Sequence, residues 1–103
     1  MDFGAGYGLF VRLMRDARLN FFAFDEYCTN LFAKQYQVNL KEIESIQFEM
    51  ITCFEVFEHF VFPFQDIKRL LQYSPNLLFS TELVSNPPRH LTTGYITAAI
   101  QGN

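Results

Sequence analysis

Tryptophan is absent from this 103-residue chain, and cysteine and histidine are nearly so, at two each: Cys28, Cys53, His59 and His90. The cysteines have neither a C-x-x-C spacing nor a flanking His pair. They therefore read as reduced, small apolar residues rather than a disulfide framework or a zinc site. Positive charge is also short, with eight Lys and Arg against eleven Asp and Glu, a net charge of −3 and a pI near 5.2. This balance removes the electrostatic case for nucleic-acid binding. No apolar run approaches the length of a membrane span, and no basic-then-apolar leader opens the sequence, so the expected location is cytoplasmic. Internal repeats and low-complexity segments are missing too. What is plentiful is apolar bulk: half the residues are hydrophobic and thirteen are Phe. Disorder is excluded on those grounds, and residues 1–103 are expected to form one small domain.

Glycine is sparse but concentrated. Three of the five glycines stand at every second position in Asp2-Phe3-Gly4-Ala5-Gly6-Tyr7-Gly8, just ahead of an apolar run of helical character. The pattern predicts a strand end, a tight turn and a helix start, where bare backbone can approach a nucleotide-like ligand. Leu9 occupies the position where a G-x-G-x-x-G dinucleotide fingerprint needs its third glycine, which weakens an NAD or FAD reading. Seventeen positions after Gly8, Asp25 closes the apolar run Asn20–Phe24. A carboxylate at that point of a doubly wound sheet faces the ligand crevice and suits ribose hydroxyls. Glu26 and Tyr27 are placed to flank it.

The remaining pattern alternates. Leu9, Phe10, Leu13 and Met14 form the expected apolar stripe of a first helix, with Arg12, Arg15 and Asp16 opposite. Asn20–Phe24 reads as a buried strand. Thr29-Asn30 is expected to cap a helix over Leu31–Tyr36, followed by a short extended piece at Gln37–Asn39. Lys41–Ser45 reads as a surface loop or a single helical turn. Glu49–Phe54 is the next strand. Pro63 starts an amphipathic helix with Phe64, Ile67, Leu70 and Leu71 inward and Gln65, Asp66, Lys68, Arg69 and Gln72 outward. Ser74-Pro75-Asn76 is a turn, Leu77–Thr81 a strand, and Pro87-Pro88 a break; Tyr95–Ile100 fits strand or helix. Strands alternating with helices, with connections too long for hairpins, predict a mainly parallel α/β sheet.

Asp2-Phe3-Gly4-Ala5-Gly6-Tyr7-Gly8, then Phe24-Asp25, then Thr52-Cys53-Phe54-Glu55-Val56-Phe57-Glu58-His59 with Pro63 beyond, resembles the class I S-adenosylmethionine-dependent methyltransferases. The E-V-x-E-H block resembles the ubiquinone-type O-methyltransferase group within them. The resemblance runs from Asp2 to about Leu83. It implies a Rossmann-like, partial doubly wound sheet of order 3-2-1-4-5, and S-adenosylmethionine as cofactor. Asp2, Gly4, Gly6, Gly8, Asp25, Glu26, Phe54 and Glu55 become the implied cofactor-binding residues. The implied reaction is methyl transfer to a small-molecule acceptor of unknown identity, with O-methylation favoured.

Glu55, Glu58 and His59 stand at i, i+3 and i+4, one face of a helix if the segment is helical. Three uses remain open for the candidate catalytic pair Glu58 and His59. They can cap and orient a helix end, His59 can act as a general base, or the face can hold a divalent metal. No residue is assigned as a metal ligand. The Phe residues of the strand runs read as core; Phe57, Phe60 and Phe62 fall beside the expected site. Against the family pattern, the first strand is short, the third reduced, and the last antiparallel strands are expected to be absent or degenerate beyond Pro88. The competing expectation is thus a truncated, inactive fragment with weak or no cofactor binding.

Overall fold

A computed structural model describes residues 1–83 and 94–102. Five strands form one sheet in the order β2-β1-β3-β4-β5. Strand β1 is Asp2–Phe3, β2 is Ala23–Phe24, β3 is Ile51–Phe54, β4 is Asn76–Leu83 and β5 is Gly94–Gln101. The first four pair in parallel, while β5 runs antiparallel to β4 from Asn76↔Gln101 to Leu83↔Gly94. Helices α1 (Leu9–Asp16), α2 (Leu40–Ser45) and α3 (Pro63–Tyr73) lie between the strands, with short 3₁₀ turns at Lys34–Tyr36 and Phe57–His59. The class is the mixed α/β architecture expected, but the strand order agrees only partly. The expected third strand contracts to one parallel bridge, Ala23↔Gln37, outside β2. At the opposite edge β5 supplies an antiparallel strand where the last strands were expected to be absent or degenerate, and Tyr95–Ile100, which fitted strand or helix, falls within it. The Pro87-Pro88 break and His90 lie outside the described residues.

β3 is buried along Ile51, Thr52 and Cys53, as a strand with neighbours on both sides should be. The main core joins Phe3, Phe24, Ile43, Phe48, Ile51, Leu70 and Leu77; a smaller one gathers Val11, Ala23 and Ala33 on the α1 side. β1 has only two strand residues, yet both flanks are tied, by Asp2 N–H to the Phe22 carbonyl at 2.8 Å and by Thr52 N–H to the Met1 carbonyl at 2.9 Å.

Four local expectations are corrected. Residues 31–36 do not form a full helix: buried Asn30 folds its amide onto Ala33, accepting from its N–H and donating to its carbonyl, both at 2.9 Å. This closes a tight turn in place of a helical start, and only Lys34–Tyr36 coils. Conversely, α2 is a proper helix, because Asn39 accepts from Glu42 N–H while Glu42 accepts from Asn39 N–H, a reciprocal capping box.

The buried face of α1 also differs, since Val11 is fully buried while Leu9 and Leu13 are exposed. Arg15 lies on that inner side. Its guanidinium sits 3.8 Å from the Tyr36 ring centroid, and Nε donates to the Phe21 carbonyl at 2.7 Å. A long cationic side chain can lie along apolar surface in this way, and a hydropathy stripe does not show it. In α3, Leu70 is buried and Ile67 and Leu71 are half-buried, but Phe64 is 82% exposed. At 3.6 residues per turn it stands about 120° round the helix from Leu70. Asp66 and Arg69, expected outward, are instead half-buried.

Candidate functional site

The carboxyl ends of β1, β2 and β3 open onto one cavity of about 800 Å³. This is where an open α/β sheet places its ligand crevice. Its wall includes Phe3, Gly4 and Gly6 at the end of β1, Phe24 to Cys28 at the end of β2, and Phe54, Glu55 and Val56 at the end of β3. His59, Phe60, Val61, Asp66 and Arg69 close the far side.

The three loop glycines all have positive φ, but they do different work. A Cβ on Gly4 would stand 2.5 Å from Cγ2 of Val56, so Gly4 lets the β1 turn pack against the segment after β3. A Cβ on Gly8 would collide with Oδ1 of Asn30, so that glycine seats the start of α1 on the Asn30 turn. Around Gly6 nothing lies within 4 Å of a Cβ position, and the residue lines the cavity. Gly6→Ala should therefore cost only the backbone strain of a left-handed residue, about 1 kcal/mol. Gly4→Ala adds an overpacking term and should cost about 2 kcal/mol or more. Denaturant midpoints of the two variants measure the difference.

Asp25 holds this loop. Its Oδ2 accepts from Gly6 N–H at 2.8 Å, and its Oδ1 accepts from Tyr27 N–H at 2.8 Å and Cys28 N–H at 2.9 Å. A carboxylate has about four acceptor positions, so Asp25 retains capacity for roughly one more donor.

At the end of β3 the backbone is strained. Glu55, a non-glycine residue, sits at φ 57°, the left-handed region. Its N–H donates to the Ser80 carbonyl at 2.9 Å, and the Ser80 hydroxyl donates to Glu55 Oε1 at 3.1 Å. That kink separates Glu55 from the coil at Phe57–His59, so Glu55, Glu58 and His59 do not share a helical face. Among the described residues no three His, Cys, Asp or Glu side chains come together as a metal site.

Glu58 turns away from the cavity wall toward β4, where its Oε2 accepts from the Thr81 hydroxyl at 2.8 Å. The slight burial of its carboxyl works to raise the pKa. Hydrogen bonding with its own backbone, with Thr81 and with the Glu82 backbone, and the nearby His59, outweigh burial and hold it below the ordinary value. His59 is 77% exposed at its side chain, lines the cavity, and keeps Nε2 3.9 Å from Glu58 Oε1.

Gly4, Gly6, Asp25, Glu26, Phe54, Glu55 and His59 thus border one space. Asp2, Gly8 and Glu58 lie outside its wall. For Asp2 the reason is burial: it is 4% exposed and accepts from the Thr52 hydroxyl at 2.7 Å inside the sheet. Its pKa rises from 3.8 to about 6, because burial outweighs the Thr52 hydrogen bond and the attraction of the N-terminal ammonium, and Asp25 adds repulsion. Burial likewise pushes the Cys53 thiol up to about 12, with Asp2 and Glu58 adding to it, so Cys53 is an inert core residue; Cys28 is exposed. Asp66 and Arg69 were missed as wall residues. Their i, i+3 spacing was visible, but the apolar stripe of α3 assigned them to solvent.

A family model described as methyltransferase domain matches residues 1–96, nearly the whole chain. The chain belongs to the methyltransferase-domain family. Proteins of this family generally use S-adenosylmethionine. Searches of curated proteins and of solved structures returned no match. Among the described residues no helix is long and apolar enough to cross a membrane.

Proposed function

We propose that this methyltransferase-domain protein binds S-adenosylmethionine in the cavity and methylates a hydroxyl of a small-molecule acceptor. The observation that carries the reading is Gly6. It is the one loop glycine with open space before it, its N–H is fixed by Asp25, and both residues line a cavity large enough for a nucleoside and a second small molecule. Asp25, Glu26, Glu55 and Asp66 also give the wall a negative character that suits a cationic sulfonium.

In this reading Gly4 and Gly6 admit the methionine and ribose portions, Asp25 offers its remaining acceptor position to a ribose hydroxyl, and Phe54 and Glu55 border the reacting end. When bound, the cofactor supplies a methyl carbon activated by its positive sulfur. His59, exposed on the same wall, would take the proton of the acceptor hydroxyl. Glu58, with Oε1 3.9 Å from Nε2, orients His59 from outside the wall. The other task of the chain is to hold the two reactants together and keep water away.

Titration calorimetry with S-adenosylhomocysteine tests this directly. Micromolar binding is expected, and ligand at about one hundred times Kd should add about 2.7 kcal/mol of stability. No heat and no thermal shift at millimolar ligand would overturn the reading.

A further inference from the structure

We infer that Asn30 is a positioning residue for the cofactor: through the turn it closes, it fixes the half of the glycine loop that Asp25 does not hold. The inference rests on the cofactor reading of the cavity and adds a second support to it.

The loop between β1 and α1 is held from two sides. On the cavity side Asp25 takes the Gly6 N–H. On the other side the Tyr7 carbonyl accepts from Leu31 N–H at 2.8 Å and from Phe32 N–H at 3.0 Å. The Gly8 N–H donates to the Ala5 carbonyl at 3.0 Å, so the peptide between Tyr7 and Gly8 is tied at both of its polar atoms. Successive N–H groups converge on one oxygen only where the chain is turned. Asn30 makes that turn, because its amide spans the N–H and the carbonyl of Ala33. The residue is 5% exposed, and it stands against Gly8, where any side chain would collide with its Oδ1. A buried amide costs free energy unless both its ends are paired, and Ala33 pairs both. Opening the turn releases the Tyr7 carbonyl, and the Gly6 amide one residue earlier loses its fixed direction. A loop that is competent for only part of the time lowers the apparent affinity by that fraction.

Amide exchange in the ligand-free protein and calorimetry with S-adenosylhomocysteine test this together. In Asn30→Ala, Gly6 and Gly8 should exchange at least about ten-fold faster relative to Thr52, whose N–H bonds the Met1 carbonyl inside the sheet. S-adenosylhomocysteine affinity should fall about ten-fold. Asn30→Asp supplies a conservative rescue. Its carboxylate still accepts from Ala33 N–H but cannot donate to the Ala33 carbonyl, whereas the protonated acid does both. Its affinity, taken as a ratio to the wild type, should recover as the pH falls from about 8 to about 5. A purely structural role predicts that Gly8 exchange follows Thr52 and that the folded variants keep wild-type affinity; that result overturns the proposal. A ratio that stays flat with pH overturns it too. Should neither variant fold, exchange in the wild type decides. Gly8, Leu31, Phe32 and Ala33 should open as one unit, with equal denaturant slopes, and Ala33 opening independently of Gly8 would refute the assignment. Absence of S-adenosylhomocysteine binding in the wild type sinks the cofactor reading alone, because the hold on Gly8 is read without ligand.

Discussion

Replacing Asp25 with alanine is expected to weaken S-adenosylhomocysteine binding by about a hundred-fold or more and to lower stability by about 2–3 kcal/mol. Three backbone N–H groups lose a charged acceptor at once. Those of Tyr27 and Cys28 are exposed and recover water as a partner. The bond from Gly6 is partly buried and spans β1 and β2, so its loss frees the loop that borders the cavity. Asp25→Asn should be intermediate. Its carbonyl oxygen can still serve Tyr27 and Cys28, but its NH₂ group then faces the Gly6 N–H, donor against donor.

The same residue permits a sharper question. Asp25 acts either by touching the ribose or solely by fixing Gly6. A 2′-deoxy analogue of S-adenosylhomocysteine separates the two through a double cycle. Direct contact predicts that the wild-type protein discriminates against the analogue and that Asp25→Ala does not. A loop-fixing role alone predicts the same discrimination in both proteins.

Where sequence and structure agree, one local rule dominates and nothing nearby opposes it. Pro63 starts α3, β3 runs to Phe54, and the glycines turn the chain after Phe3, each because proline, apolar burial or positive φ leaves little choice. Where they part, a polar side chain has taken a role that hydropathy does not register. Asn30 satisfies Ala33 and replaces a helix with a turn. Arg15 lies across Tyr36, on a buried face of α1 turned by one residue from the apolar stripe. The Asn39–Glu42 box was legible as N-x-x-E, and reading it would have extended the single turn to a helix.

The candidate site divides along the same line. Gly4, Gly6, Asp25 and Glu55 follow from position along the chain, since strand ends fix them. Distinguishing Gly6 from Gly4 and Gly8 needed the atoms opposite each one, Val56 and Asn30, which are distant in sequence. The antiparallel strand β5 had weak local signals because its partner, β4, supplies its order.

Asp2→Asn should stabilise the protein above neutral pH by about 1–3 kcal/mol, and the gain should vanish below about pH 4. Asp2 is an acid whose pKa is raised on folding, from 3.8 to about 6. Between those values the folded chain holds a proton that the unfolded chain has released. Raising the pH through that window therefore favours unfolding, and above it the full penalty of ionising a buried carboxyl remains. Two pKa units correspond to about 3 kcal/mol. Asparagine keeps an oxygen to accept from the Thr52 hydroxyl and carries no charge to desolvate, but it forfeits attraction to the N-terminal ammonium, so the realised gain falls short of that ceiling. Denaturant unfolding of both proteins from pH 4 to 8 measures the effect, and a difference that does not vary with pH would refute it. Because Asp2 faces Thr52 inside the sheet, S-adenosylhomocysteine affinity should change less than about three-fold. A large loss of affinity would instead return Asp2 to the cofactor site, with the buried carboxylate acting on the ligand through the glycine turn that it precedes.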